Sequence, residues 1–442
     1  MSLDSLNELA SQASELTRAL TSKLHACDLT LPSVTQGGLE SYPKDRDLQE
    51  SRMKLIDALD SLRALVLGPS DYFQFHVLNA KHDLSVLNML YRFNILTHIP
   101  LDGALSFKEL AERTDLSLSA VRRILRHAEL MHFLRETAPG SSRFEHTSFS
   151  AHIVKTPGGL DWLGHNADQG SYGTLRQAEA VEKFEKGGRQ AGYSNETGMG
   201  LQFYPDKGPD FSLFNFLVSD GDGERKGWRM RRCAAAMGYL AYRNAGRKRD
   251  FVLDGFDWEE YKGQTVLDLG GSKGHLSLEI AKSHPDIKFI VNDLPSIEAQ
   301  FNATKAAAGP SGEQLSFLGH DFFKPWPSID FDIVMMRYIL HDWSDSLAIK
   351  LLRNLVPELK PGSRIFVIES MMPEIGDKDV PRFIRHGSSS MDFQMWSSTN
   401  GKERSLSDWK SLFGAADSRF AVEECRIVPG NNFMFVHVVF GK

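Results

Sequence analysis

The chain has 442 residues, 51 Lys+Arg against 57 Asp+Glu, a hydrophobic fraction of 41% and three cysteines. At roughly 150 residues per domain, that length predicts two or three domains with real cores, which excludes global disorder. The net charge of −6 argues against a protein built to coat nucleic acid, and three scattered cysteines (Cys27, Cys233, Cys425) exclude a disulfide framework or a cysteine-based zinc site.

No apolar run approaches the ~20 residues of a membrane span. Asp4 and Glu8 sit where a secretory leader would need apolar residues. The expectation is a protein of a reducing, cytoplasmic compartment with neither membrane nor nucleic acid as partner. No His/Asp cluster shows metal-ligand spacing along the chain, so no metal is expected.

Residues 1–245 read as mostly helical. Leu6, Leu9, Ala13, Leu16 and Leu20 recur at helical spacing and predict an amphipathic first helix. Pro32, Gly37, Gly38 and Pro43 mark a linker over 28–48. A second helix carries Leu55, Ile56, Leu59, Leu62 and Val66 on one face, and 70–97 reads as a further apolar helix. Helix Phe107–Arg113, a turn at Asp115–Leu118, and a helix opened by Ser119 as N-cap then follow. Two short strands, Phe133–Arg135 and Phe144–His146, flank Pro139-Gly140 and complete a winged helix-turn-helix pattern. Segment 101–150 carries seven positive and seven negative side chains. Zero net charge favours packing against protein over binding DNA.

From about 246 the style changes to alternating strands and helices, which predicts an α/β, doubly wound parallel sheet. Strands are expected at Thr265–Leu269, Lys288–Asn292, Leu315–Leu318, Asp332–Tyr338 and Arg364–Glu369. Helices are expected at Gly274–Ser283 and 345–357. A closing hairpin, Glu423–Ile427 and Phe433–Phe440 around Pro429-Gly430-Asn431-Asn432, would add an antiparallel strand. The domain boundary is accordingly placed at 245/246.

The turn Asp268-Leu269-Gly270-Gly271-Ser272-Lys273-Gly274 ends the first of these strands. It lacks the Gly-Lys-Ser/Thr of a P-loop, and Ser272 breaks the G-x-G-x-x-G dinucleotide fingerprint. The spacing suits a ligand without a pyrophosphate, and S-adenosylmethionine is such a ligand. Asp293, 23 residues after Gly270, stands where a carboxylate can accept ribose hydroxyls. Asp321 could accept from an adenine amine while Phe322 stacks on the ring. His341, just beyond the fourth strand, suits a general base, and Glu369 and Glu403 are carboxylates that could fix its tautomer.

In order, the chain carries Asp-Leu-Gly-Gly-x-x-Gly, Asn-Asp-Leu-Pro, His-Asp-Phe-Phe, Arg-x-x-x-His-Asp-Trp-Ser-Asp, Ile-Glu-Ser and Gly-Lys-Glu-Arg. This series resembles the caffeic-acid-type S-adenosylmethionine O-methyltransferases, including fungal secondary-metabolite members, over about residues 80–442. The resemblance implies a Rossmann-like methyltransferase sheet, and a winged-helix domain that serves dimerisation and encloses the substrate. It implies His341 as the base that deprotonates an acceptor hydroxyl, with Glu369 and Glu403 flanking it. It places the cofactor on Gly270, Asp293, Leu294, Asp321, Phe322 and Arg337, where plant relatives have Lys at the last position. Met395 resembles a methionine that packs on the acceptor ring. His165, Asn166, Phe203, Met237 and Trp396 are further pocket candidates. The implied partners are a hydroxylated aromatic or polyketide-type small molecule and a second copy of the chain. A related possibility keeps the fold and the bound cofactor for non-methylating cyclisation, pericyclic or isomerisation chemistry. Retention of His341 with both glutamates favours methylation over it.

Overall fold

A computed structural model describes residues 6–43, 45–245, 253, 255–427 and 433–441. The described residues form two compact units. One comprises the chain up to Leu175 together with Phe214–Arg243, and the other Arg176–Leu213 together with the chain from Asn244 onward. The expected boundary at 245/246 borders residues outside those described. Among the described residues, Arg176–Leu213 groups with the sheet, although its helical sequence style matches its neighbours.

The first unit is helical, as its apolar spacing requires. Helix α1 spans Leu6–Ala26 and buries Leu9, Ala13, Leu20 and Leu24. Helix α2 runs Arg46–Arg92 with a break at Gly68 (φ 66°, ψ 169°), where Pro69 follows. Proline cannot donate to the preceding turn, so the two expected helices meet there as separate rods in one run. Leu59, Val66, Phe73 and Val77 on α2 stay exposed in the single chain.

The wing follows. Strand β1 (Leu105–Ser106) leads into α3 (Phe107–Thr114), closed at its start by a Ser106–Glu109 capping box. Helix α4 (Leu118–Leu130) is capped by Ser117, whose side chain accepts from the Ala120 amide at 3.2 Å. The expected cap at Ser119 is therefore displaced by two residues. The apolar set Val121, Ile124, Leu125 and Ala128 faces the core in either case, so periodicity alone could not choose between the serines. Strands β2 (Leu134–Glu136) and β3 (Arg143–His146) pair antiparallel, and β3 also pairs β1. Long helix α5 (Trp228–Ala245) belongs to this unit up to Arg243.

The second unit carries strands β4 (Thr265–Leu269), β5 (Lys288–Asp293), β6 (Leu315–Gly319), β7 (Ile333–Arg337), β8 (Arg364–Ser370), β9 (Phe420–Ile427) and β10 (Phe433–Phe440). Their order is β6-β5-β4-β7-β8-β10-β9. The first five pair in parallel, and β10 runs antiparallel between β8 and β9. The turn expected at 429–432 lies outside the described residues. Helices α6 (His275–Ser283), α7 (Glu298–Ala307), α8 (Asp345–Leu355), α9 (Arg382–Thr399) and α10 (Leu406–Ala416) accompany the sheet.

Alternate residues of the central strands serve two cores. Leu267, Leu269, Val334, Met336, Ile365 and Val367 pack with Leu351, Trp409 and Phe413. Val266, Ile333, Met335, Phe366 and Ile368 pack with Ile280, Phe289 and Phe435. Burial on both faces explains why these strands read as unbroken apolar runs. Strand order reverses at β4, with β5 on one side and β7 on the other. Doubly wound sheets open a ligand crevice at the carboxyl ends of the strands at such a switch point.

Candidate active site

The glycine turn leaves β4 at that switch point. Gly270 (φ +72°) and Gly274 (φ +75°) adopt backbone conformations that L side chains rarely reach. A Cβ on Gly270 would collide with the Ile339 side chain, and one on Gly271 with the Asp268 carboxylate. The turn is thus a cradle of bare backbone.

Asp293 ends β5 and reaches across the cradle. Its Oδ2 accepts the Ser272 amide at 2.9 Å and its Oδ1 the Leu294 amide at 2.7 Å. A carboxylate has about four lone-pair positions, so both oxygens keep capacity for hydroxyl donors. Burial raises the Asp293 carboxyl above its ordinary range, while the two amides oppose the shift. Asp268 is buried behind the turn and bonded by Ser277 Oγ at 2.6 Å. Burial pushes it up to about 6, against the lowering effects of that bond and of the Arg337 charge.

Asp321 lies two residues past the end of β6 rather than on it. Its Oδ1 accepts the Phe323 amide at 2.9 Å. Phe322 is half-buried, edge-on to Phe323 (5.0 Å) and Trp343 (5.9 Å). Backbone cradle, hydroxyl-accepting carboxylate and aromatic face are the parts that a sulfonium nucleoside without a pyrophosphate requires, and the residues fit it.

The second cluster is built from three distant segments. Strand β7 ends at Arg337, and Tyr338 (φ 55°) turns the chain into the short helix Leu340–Asp342. His341 Nδ1 lies 2.8 Å from Glu403 Oε1 and 3.7 Å from Glu369 Oε2. Exposure is 9% for His341, 0% for Glu369 and 1% for Glu403. The two carboxylates divide the work. Glu369 Oε1 accepts the backbone amides of Ile339 (3.0 Å), Leu340 (2.9 Å) and His341 (3.4 Å), so it holds the loop. Glu403 alone is within hydrogen-bond distance of the imidazole. With Nδ1 turned to Glu403, Nε2 is the nitrogen left for chemistry, and Asp342 Oδ1 lies 3.8 Å from it.

Burial pulls the imidazole down, but the charges of Glu369, Glu403 and Asp342 outweigh it and raise His341 to about 10. Burial likewise lifts Glu369 to about 7 and Asp342 to about 6, with the imidazolium opposing both. Groups this close exchange protons as a unit. His341, Glu369 and Glu403 also place one donor atom each within 4.8 Å of one another, a metal-like grouping. Linear spacing hid it, because the three come from separate segments.

Residues that the sequence reading passed over hold this cluster together. Arg404 is fully buried and bonds Leu340 O (2.7 Å), Trp343 O (2.9 Å) and Asp345 Oδ1 (2.8 Å). The Lys402 amide donates to His341 O at 2.9 Å. Within Arg176–Leu213, residues 192–194 are tied to the same region. Ser344 Oγ donates to Gly192 O (3.0 Å), Asn400 Nδ2 to Tyr193 O (2.7 Å) and Ser194 Oγ to Ser398 O (3.2 Å). Glu196 stiffens this strap by accepting the Gly192 and Tyr193 amides at 2.9 and 3.2 Å. The quoted Gly-Lys-Glu-Arg motif was the available signal for Gly401 and Arg404; nothing in the sequence pointed to 192–196.

The remaining candidates divide between the units. Met395 and Trp396 lie on α9, where Trp396 Nε1 donates to Glu185 Oε1 at 3.3 Å. Phe203 ends the helix Gly198–Phe203, which packs against α9. Arg337 ends β7 with its guanidinium 5.9 Å from the Tyr338 ring centre, and Leu294 is exposed beside Asp293. His165, Asn166 and Met237 belong to the helical unit. His165 opens a π-helical turn over His165–Gly170, and burial and then the Arg232 charge draw its imidazole down to about 4. Asn166 Nδ2 is committed to Trp162 O at 2.9 Å.

Comparison with known proteins gives the family. Residues 248–419 match the family model "O-methyltransferase domain", and residues 82–135 match "Winged helix-turn-helix DNA-binding". O-methyltransferase VdtC of Byssochlamys spectabilis is 32% identical, with 88% of this chain and 86% of that protein covered. Chlorophenol O-methyltransferase of Trichoderma longibrachiatum is 30% identical over 93% of this chain and 87% of its own length. The structure of OxaC in complex with SAH and oxaline aligns at a TM-score of 0.76 and 17% identity, covering 98% of both chains. The chain belongs to the O-methyltransferase family that these relatives represent, and its methyl donor is S-adenosylmethionine.

Proposed function

We propose that the chain methylates a hydroxyl of an aromatic or enolic small molecule, of polyketide type, in secondary metabolism, with His341 as the general base. The observation that carries the reading is the buried 2.8 Å contact between His341 Nδ1 and Glu403 Oε1. A chlorophenol-methylating relative supports a phenolic acceptor. Gly270, Asp293, Leu294, Asp321, Phe322 and Arg337 hold the cofactor in this reading. Met395, Trp396 and Phe203 line the acceptor site, and His165, Asn166 and Met237 are assigned to it from the sequence alone.

Bound at the cradle, S-adenosylmethionine supplies a methyl group already activated on a sulfonium. The protein's task is to present an oxygen nucleophile. A phenol with a pKa near ~10 is poorly nucleophilic at neutral pH. Neutral His341 takes its proton at Nε2, while Glu403 receives Nδ1–H and stabilises the cation that forms. A base whose conjugate acid matches the phenol makes that transfer nearly isoenergetic, and general-base assistance of this kind is worth ~100–10,000-fold. Glu369 keeps the loop from drifting and adds charge behind the ring.

His341→Ala tests the reading with labelled cofactor. Cofactor affinity should be retained and label transfer to a phenolic acceptor nearly abolished; normal label transfer would refute the base. Label transfer by the wild-type chain also separates methylation from the non-methylating alternative. The chain is further proposed to act as a homodimer in the cytoplasm. Exposed Leu59, Val66, Phe73 and Val77 on α2 support the dimer. No helix among the described residues is long and apolar enough to cross a membrane.

A further inference from the structure

Arg404 is a charged side chain that the mechanism above does not use, yet it is fully buried. Arginine is almost never so placed without a tightly matched set of acceptors. Its acceptors are specific. Nη1 donates to Leu340 O at 2.7 Å and to Lys402 O at 3.3 Å. Nη2 donates to Trp343 O at 2.9 Å and to Asp345 Oδ1 at 2.8 Å, and Nε donates to the same Oδ1 at 3.0 Å. The guanidinium also lies 5.4 Å from the Trp409 ring centre.

Two of these acceptors are backbone carbonyls that bracket His341, one before it and one after. Arg404 itself directly follows Glu403. On the other side of Glu403, the Lys402 amide donates to His341 O at 2.9 Å. Residues 402 and 404 therefore grip 340, 341 and 343, and Glu403 sits between the two grips. Those bonds tie the two segments to each other, while Glu369 holds the 339–341 amides and Asp392 Oδ1 accepts the Glu403 amide at 2.9 Å.

We propose that Arg404 is a positioning residue, a clamp that fixes the register of the Glu403 segment against the His341 loop and thereby aims the imidazole. Lysine could supply the charge but not the planar fork that reaches Leu340 O, Trp343 O and Asp345 together. Asp345 is the outer anchor of the clamp and is 39% exposed, so changing it disturbs little packing. The proposal rests on His341 being the base.

Arg404→Lys and Asp345→Asn are the test variants. Both are expected to keep cofactor affinity within about twofold. Misplacing a reacting group by about 1 Å costs ~100-fold, so Arg404→Lys should lose roughly that in kcat with acceptor KM little changed. Asp345→Asn, which loosens one end of the clamp, should lose about 10-fold, in the range for a charged hydrogen bond. In both, the pH profile of kcat should change shape, because Glu403 no longer meets the imidazole at fixed distance. A purely structural role would instead lower the active fraction and leave the profile unaltered. If Arg404→Lys fails to fold, Asp345→Asn decides. Folded variants with wild-type kcat and profile, beside an inactive His341→Ala, would overturn the clamp alone. A fully active His341→Ala would overturn the base, and the clamp with it.

Discussion

Gly401 sits where the His341 and Glu403 segments cross, two residues before Glu403. A Cβ built on it would fall about 1 Å inside the 3.0 Å that real Cβ atoms keep from other heavy atoms, here the His341 carbonyl oxygen. That oxygen already accepts the Lys402 amide at 2.9 Å, and Arg404 holds the carbonyl just before it. The methyl of Gly401→Ala therefore has no compliant neighbour and must push the His341 loop from the Glu403 segment by about 1 Å. A displacement of that size costs ~100-fold in turnover, and overpacking of this kind costs about 1–3 kcal/mol of stability. Cofactor affinity, which the proposed site places on β4 and β5, should stay within about twofold. The assay is steady-state label transfer beside calorimetric cofactor binding and a thermal melt. A folded Gly401→Ala protein with wild-type kcat would refute the reasoning that the crossing fixes the imidazole.

In the wild type, the carboxylates hold His341 at about 10, so the neutral base fraction grows with pH. kcat/KM should climb from pH 7 toward 10. Glu403→Gln removes one raising charge, so the climb should begin at lower pH and end at a lower plateau; an unmoved inflection would contradict the assigned cause. The same linkage carries a stability sign: the folded-state pKa lies above the ordinary 6.5, so the contribution is full below about 6.5 and fades as pH rises toward 10. Asp293→Ala loses acceptors for the Ser272 and Leu294 amides and, in the proposed site, for a ribose. Cofactor affinity should weaken about 10–100-fold by calorimetry, and a change under threefold would count against Asp293 as a cofactor ligand. Light scattering at micromolar concentration should give twice the chain mass, and a monomeric mass would count against the dimer.

Chemistry was more legible in the sequence than support. His341, Asp293 and the glycine turn could be placed because strands with both faces buried announce themselves as apolar runs, and ligand residues follow their carboxyl ends. Glu369 was found, but its main partners were not. Backbone amides leave no trace in residue identity, so a carboxylate gripping Ile339, Leu340 and His341 reads like any flanking acid. Arg404 was passed over for a related reason: sequence gives a surface prior for arginine, and only the fold reveals five acceptor contacts around it. The cap at Ser117 could not be told from Ser119 by periodicity. Nor could helical propensity say that Arg176–Leu213 packs with the sheet, since propensity is local and that association rests on bonds to residues some 150–200 positions away.

Glu369 lies on β8, and β8 pairs on one edge with β7 and on the other with β10, where Met434 stands opposite Glu369. The carboxylate that holds the His341 loop is thus flanked by β10, a strand that follows every motif residue of the site in sequence. During synthesis, the cradle on β4 and β5 can be complete while β8 is still an open edge. In the proposed mechanism, the loop that carries the base is therefore secured only once β10 has been made. That same strand carries Met434, Val436 and Val438 into one core of the sheet and Phe435 into the other, so the support of the Glu369 loop and the packing of both sheet faces depend on one segment.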